Sequence, residues 1–325
     1  MIISTKQEIM EVLNMTQEQF EGEILPEAGR TADVHKEGSL QVRAMLGYDN
    51  ICRNQCLYCG MRAANNTIQR YRLPAEDVIA SAKMAKDRGF HHIFLISGED
   101  PRYGFDSLLK IVEAIHKMGM HQSLACGEFE PEQYRELQAA GADEYVMKFE
   151  MSREETFNRL NPSTNFKKRM AAIEAVKASG MKLASGNIVD FPGQDREELA
   201  EDILLMKELE ISWAPVIPYM PAANTPLKEE GGFGSLLTNL KEIALLRLMM
   251  PDVDITAQQP GEDKKKGLAD PEGNRNAVRA GANILFCDLL PDALARNFRV
   301  IDNRNVSGTE HLYQVAELTG KKLVF

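Results

Sequence analysis

The 325-residue sequence contains only five cysteines and one tryptophan, and its basic side chains are outnumbered. A formal net charge of −10 disfavours broad binding to nucleic acid or anionic lipid, because both require clustered Lys and Arg. The N-terminus lacks the basic and apolar pattern of a signal peptide, and no apolar run is long enough to span a bilayer. We therefore predict a cytoplasmic protein with small-molecule or protein partners, and with neither a nucleic-acid nor a membrane partner.

The sequence also lacks low-complexity segments and linkers rich in Pro, Gly or Ser that would separate domains. Strand-like patterns alternate with helical patterns, which is typical of βα units. Eight strands are predicted, over residues 40–47, 92–97, 122–126, 144–149, 182–189, 213–218, 253–256 and 282–287. This order predicts an α/β fold, a TIM-type (βα)8 barrel over residues 39–325 with a C-terminal closing segment, preceded by an N-terminal helical extension over residues 1–38.

Three of the five cysteines lie within eight residues, in the C-x3-C-x2-C pattern of Cys52, Cys56 and Cys59. In a reducing compartment such a group indicates a metal site rather than disulfides. Short spacings allow one loop to surround an iron-sulfur cluster, and three thiolates would leave one iron of a 4Fe-4S cluster open. The alternatives are a zinc site, which needs a fourth ligand nearby, and buried structural cysteines, which need no such spacing.

The cysteine spacing, with Tyr58 directly before the last cysteine, resembles the signature of the radical S-adenosylmethionine (SAM) superfamily. The resemblance implies that SAM chelates the open iron and is cleaved by an electron from the cluster to give a 5′-deoxyadenosyl radical. It also implies anaerobic chemistry, a low-potential electron donor such as ferredoxin or flavodoxin, and a small-molecule substrate.

Further positions resemble the superfamily's SAM contacts, namely Ser97, Gly98 and Glu99 for the methionine amine, Glu150 for the ribose, Arg169 for the carboxylate, and Asn187 and Val189 on the adenine side. Without the resemblance each has an ordinary interpretation. A strand followed by Ser-Gly-Glu is a common turn, and Arg169 would be a surface residue. Alternation along the fourth strand places Lys148 and Glu150 on one inward face, where they could also form a structural ion pair.

Within the superfamily, residues 41–287 resemble the branch of HydE-type maturases of FeFe hydrogenase, with methylornithine synthase and biotin synthase as relatives. The resemblance is carried by residues 56–62, 70–72, 97–101, 127–128, 140–143, 192–194 and 281–283. It implies a small amino-acid-like or iron-bound substrate, other maturation proteins as partners, and Lys148 as the catalytic residue that contacts the substrate.

Several alternatives stay open from the sequence. Lys148 stands where the maturase has arginine, and residues 299–325 lack a clear match, so the chain could be a methylornithine synthase-like lysine mutase or a paralogue with another substrate. A second cluster of the biotin synthase kind would have only Cys126 and Cys287 as ligands. From a different functional class, an iron-sulfur scaffold or electron carrier would use the same cysteines without cleaving SAM.

Overall fold

A ring of parallel strands forms the centre of the molecule. Within residues 3–305 and 308–325, which the computed structural model describes, eight strands are hydrogen-bonded in the order β10-β1-β2-β3-β4-β5-β7-β9. The strands are β1 Ser39–Asp49, β2 His92–Ser97, β3 His121–Ala125, β4 Glu144–Val146, β5 Lys182–Ala184, β6 Ile188–Val189, β7 Trp213–Ala214, β8 Ile217–Pro218, β9 Asp254–Ile255, β10 Ile284–Asp288 and β11 Lys322–Val324. A parallel bridge between Thr256 and Ile284 closes the ring, so the predicted (βα)8 barrel is confirmed.

Helices cover the outside of this ring. They are α1 Lys6–Asn14, α2 Gln17–Gln19, α3 Leu25–His35, α4 Ala75–Asp87, α5 Phe105–Lys117, α6 Pro131–Ala139, α7 Glu154–Leu160, α8 Phe166–Ala178, α9 Arg196–Glu208, α10 Leu236–Met249, α11 Pro271–Arg279, α12 Asp292–Ala295 and α13 Thr309–Thr319. In α5 the buried residues Leu108, Ile111, Val112 and Ile115 recur at helical spacing, which directs one apolar stripe onto the strands. None of the helices in residues 3–305 and 308–325 has the length and hydropathy of a membrane-spanning segment.

The segment before β1 is helical, as expected. Helix α1 begins at a capping box in which Thr5 and Glu8 satisfy each other's backbone N–H groups. Its buried side chains Ile9, Val12 and Leu13 pack into the same apolar core as the barrel helices. The division of the chain into domains at residue 38 stays a prediction.

Three predicted strands are wrong in extent: the fourth ends at Val146 instead of residue 149, and the fifth and sixth are broken in the structure. The fifth runs only through β5, and the chain then leaves the ring at residues 185–187 before forming β6. The sixth divides in the same way into β7 and β8, and β6 and β8 pair with each other in a separate two-stranded sheet. At the break, the carbonyl of Gly186 accepts the N–H of Glu150 at 3.0 Å, so the backbone remains hydrogen-bonded although it has left the ring.

Side chains fill the barrel interior in two layers. The layer at the amino ends of the strands is ionic: the guanidinium of Arg43 lies 2.8 Å from Glu144 and 3.0 Å from Asp254. The next layer is apolar and contains the rings of Phe94, Trp213 and Phe286, packed with Met45, Ala184 and Ile284. We call the three ring-bearing residues the aromatic floor. Because both layers occlude the ring, the open part of the lumen faces the carboxyl ends of the strands.

Candidate active site

The cysteines lie on an irregular segment that follows β1, residues 50–65, here called the cysteine loop. It contains no helix or strand, so its backbone groups need partners from elsewhere. Arg70 supplies several, because its guanidinium donates to four carbonyl oxygens of the loop at 2.6–2.9 Å, those of Asn50, Met61, Arg62 and Asn65. Arg70 therefore connects four backbone positions of the loop.

The three predicted cluster ligands are free thiols with partial exposure, whereas Cys126 and Cys287 are buried. Burial, and the neighbouring Cys52, raise the pKa of the Cys56 thiol to about 12, and burial is also the main cause of the raised pKa of Cys59. Such thiols become thiolates when a metal compensates their charge. Within residues 3–305 and 308–325, no three His, Cys, Asp or Glu side chains are grouped to hold one metal ion.

Gly98 and Glu99 contact the cysteine loop. A Cβ on Gly98 would lie 2.1 Å from the carbonyl oxygen of Ile51, so only glycine permits this approach. The carboxylate of Glu99 accepts from Arg53 at 2.6 Å and from Asn54 at 3.0 Å. Both residues thus hold the loop in place, which is a role that the sequence did not predict for them.

Lys148 and Glu150 point into the lumen, as alternation predicted, with Lys148 Nζ 3.0 Å from Glu150 Oε2. Glu150 has a positive φ of 63°, an uncommon backbone conformation for a residue other than glycine. It is held there by two backbone hydrogen bonds, to Gly186 at 3.0 Å and from Ile188 at 2.9 Å. The strained residue and the ion pair lie together at the end of β4.

Arg169 lies in α8 but is not a surface residue. Its Nε is 2.7 Å from Glu128 Oε1, its guanidinium also donates to the carbonyl of Lys148, and its Cζ lies 5.3 Å from the centre of the Phe157 ring. Glu128 is the partner that sequence reasoning did not identify. Its position directly after Gly127, at the end of β3, was the available signal, because chemistry in these barrels gathers at strand ends.

Asn187 and Val189 have buried side chains that serve the fold. The Asn187 amide donates to Asp202 at 3.1 Å and to Glu242 at 3.4 Å, and the Val189 carbonyl accepts the N–H of Tyr219 at 2.7 Å. Desolvation raises the pKa of Asp202 to about 7 and that of Glu242 well above the usual range. The side chain of Asn187 therefore belongs to a buried acidic cluster under α9 and α10.

The open lumen is a cavity of about 370 Å³, within the size range of ligand sites. Five predicted residues line it: Tyr58, Ser97, Lys148, Glu150 and Arg169. The hydroxyl of Tyr58 is held by Asn161 at 2.7 Å. Gly98 and Glu99 instead line a neighbouring groove of about 680 Å³. The structure thus assembles the predicted ribose, carboxylate and substrate residues at one cavity beside the cysteine loop.

A segment over residues 291–305, here called the C-terminal strap, covers the mouth of this cavity. Val300 accepts the N–H of Gly60 at 2.8 Å, and Asp302 donates its N–H to Pro221 at 3.3 Å. Val300, Ile301 and Arg304 line the cavity. Sequence analysis missed these residues because the strap carries no motif and only tertiary contacts bring it to the barrel mouth.

Comparison with known proteins agrees with this geometry. Residues 49–206 match the family model described as the Radical SAM superfamily. The chain is 29% identical over 324 residues to the [FeFe] hydrogenase maturase subunit HydE of Thermotoga maritima, covering 98% of this chain and 91% of that protein.

Two further matches carry the name methylornithine synthase. The chain is 29% identical over 255 residues to 3-methylornithine synthase of Methanosarcina acetivorans, covering 78% of this chain and 70% of that protein. A crystal structure of methylornithine synthase (PylB) superposes with a TM-score of 0.85 at 24% identity, over 99% of this chain and 94% of that one. This second likeness supports the fold.

Proposed function

We propose that this chain is a radical SAM enzyme and that Cys52, Cys56 and Cys59 hold its 4Fe-4S cluster. Members of the family use such a cluster together with SAM and need a substrate and a reductant. When bound, the cluster supplies the electron that splits SAM into methionine and the 5′-deoxyadenosyl radical. The proposal rests mainly on one observation: three partly exposed thiols share one loop, and Tyr58 of that loop lines the lumen together with Glu150 and Arg169.

The SAM contacts follow from the charges at the cavity wall. A ribose diol donates hydrogen bonds, and Glu150 offers a carboxylate acceptor; a SAM carboxylate needs a cation, and Arg169 offers a planar guanidinium. Ser97 and Gly98 place backbone groups near the methionine amine, and backbone groups of Asn187 and Val189 border the adenine. Tyr58 and the C-terminal strap exclude water from the same region.

For the substrate, we propose a role like that of the HydE-type maturase. Support comes from the match to a protein named as a maturase subunit over nearly the whole chain. In this role a small molecule enters the lumen beside Lys148, and maturation proteins and a ferredoxin or flavodoxin act as partners in the cytoplasm. Methylornithine synthesis is the second candidate, favoured by the relatives that carry this name.

The cluster assignment is tested by anaerobic reconstitution. Cys52→Ala, Cys56→Ala and Cys59→Ala should each lose the cluster and the release of 5′-deoxyadenosine with dithionite. Cys126→Ala and Cys287→Ala are the matched controls, because their thiols are buried in the core and should leave iron content unchanged. Full iron content in all three loop variants would contradict the assignment.

The substrate assignment is tested separately, by complementing a host that lacks the hydrogenase maturase and by mass spectrometry of products from lysine and cysteine derivatives. Restored hydrogenase activity would support the maturase role, and methylornithine from lysine would support the second candidate. If both fail while SAM is cleaved, the chain is a paralogue with another substrate. If SAM is not cleaved by a cluster-loaded chain, the non-enzymatic scaffold is correct.

A further inference from the structure

The inner end of the lumen is apolar, which the SAM contacts do not explain. The three rings of the aromatic floor touch one another, with centres 5.2 Å apart for Phe94 and Trp213, 5.7 Å for Phe94 and Phe286, and 5.6 Å for Trp213 and Phe286. The one polar atom among them, Trp213 Nε1, already donates to Thr256 at 3.0 Å. The floor therefore offers a ligand only apolar surface.

A cation lines the same cavity as this floor. Arg304 of the C-terminal strap lines the cavity, and its side chain is only 11% exposed. Its Nη1 lies 3.1 Å from Asp288, its Cζ lies 4.9 Å from the centre of the Phe298 ring, and its Nη2 contacts the weak acceptor Met45 Sδ at 3.4 Å. Asp288 is itself fixed, since its other oxygen accepts the N–H of Leu290 at 2.9 Å.

This arrangement leaves Arg304 with hydrogen-bonding capacity. A guanidinium has five N–H donors in a planar fork that matches a carboxylate. Of the two acceptors that Arg304 contacts, Asp288 and Met45, the second is only a thioether sulfur. Two other cations line the cavity: Lys148 is engaged with Glu150 at 3.0 Å, and Arg169 is paired with Glu128 at 2.7 Å and is assigned to SAM. Arg304 is therefore the guanidinium that the proposed SAM contacts leave available for an anionic group beside the floor.

We propose that the substrate is an amphiphilic carboxylate, with a ring-bearing or branched apolar body against the aromatic floor and its carboxylate held by Arg304 as a specificity-determining residue. This inference rests on the proposed function, since it names the substrate class of the same lumen. A wholly polar substrate would place no apolar surface against the floor, and a wholly apolar one would leave the remaining N–H donors of Arg304 without an acceptor.

Trp213 makes the proposal measurable without turnover, because it is the single tryptophan of the chain and forms part of the floor. Anaerobically reconstituted full-length protein with SAM is titrated with 3-phenylpropionate, 3-phenylpropan-1-ol and propionate while tryptophan fluorescence is recorded. We expect 3-phenylpropionate to bind at least tenfold more tightly than the alcohol, and propionate to leave the fluorescence unchanged. Phe286→Ala should weaken both ring-bearing probes.

Arg304→Gln should abolish the preference for the acid over the alcohol. Arg299→Gln is the matched control, because Arg299 lies on the same strap, pairs with Asp302 at 3.0 Å and has an exposed side chain; it should keep the preference. Lys148→Met should also keep it.

Three outcomes would overturn the proposal. Equal affinity of the wild-type protein for 3-phenylpropionate and 3-phenylpropan-1-ol refutes the anionic group. This measurement uses the wild-type protein only, so it does not depend on the folding of a variant. Propionate binding as tightly as 3-phenylpropionate refutes the apolar body. Loss of the acid preference in Lys148→Met but not in Arg304→Gln assigns the carboxylate to Lys148. Iron content and 5′-deoxyadenosine release on the same samples report separately on the proposed function, so each can fail without the other.

Discussion

Gly98→Ala tests how the second strand supports the cysteine loop. The new Cβ would lie 2.1 Å from the Ile51 carbonyl oxygen and 3.0 Å from Cys52 Cβ, whereas real Cβ contacts below 3.0 Å essentially do not occur. The two backbones must therefore separate by about 0.9 Å, the difference between 3.0 and 2.1 Å. Overpacking of this kind costs about 1–3 kcal/mol, which corresponds to a roughly 5- to 150-fold weaker hold on the loop's native position.

The expected result is a folded protein that binds its cluster poorly, since metal–ligand distances tolerate only about 0.2 Å of change. After anaerobic reconstitution and desalting, Gly98→Ala should retain much less iron than wild type and release iron faster to a chelator, while its circular dichroism stays unchanged. Gly232→Ala is the control, because nothing lies within 4 Å of a Cβ at that position. If Gly98→Ala retains full iron and cleaves SAM at the wild-type rate, the support that we assign to this contact does not exist.

Three other predictions concern single side chains. Glu128→Gln removes the charged partner 2.7 Å from Arg169 Nε, so we expect KM for SAM to rise about tenfold or more with iron content unchanged. An unchanged KM would contradict the assignment of Arg169 to the SAM carboxylate. Lys148→Met should spare SAM cleavage but uncouple it from product formation, which comparison of 5′-deoxyadenosine with product by mass spectrometry would detect; normal coupling would exclude a substrate contact. Burial raises the pKa of Asp202 to about 7, above its unfolded value near 3.9. The contribution of the protonated carboxyl to the free energy of unfolding is therefore fully present below about pH 4 and is lost as the pH rises through 7. Asp202→Asn should therefore gain unfolding free energy relative to wild type between pH 5 and pH 8 in urea titrations, and the opposite trend would show that Asp202 is ionised in the folded protein.

The sequence alone was sufficient for the features that depend on local pattern. Alternating strands and helices predicted the barrel, which the structure confirms. The spacing of Cys52, Cys56 and Cys59 predicts a cluster on the loop after the first strand, and this assignment stays a prediction. Lys148 and Glu150 form an ion pair as the sequence suggested, but β4 ends at Val146 and Glu150 has a φ of 63°, so alternation along a continuous strand does not account for the pair. Each of these signals spans only a few residues, because backbone geometry and thiolate spacing are set by near neighbours in the chain.

Contacts between residues distant in the chain were decided only by the tertiary structure. Arg169 pairs with Glu128, 41 residues away, and Arg304 reaches Met45, 259 residues away; neither pairing leaves a periodic signal in the sequence. The breaks after β5 and β7 were also invisible, because an apolar run looks the same whether its backbone bonds stay in the ring or form the β6–β8 sheet. Closing the barrel brings eight strand ends to one rim, and this closure places the aromatic floor and Arg304 of the C-terminal strap at the same cavity.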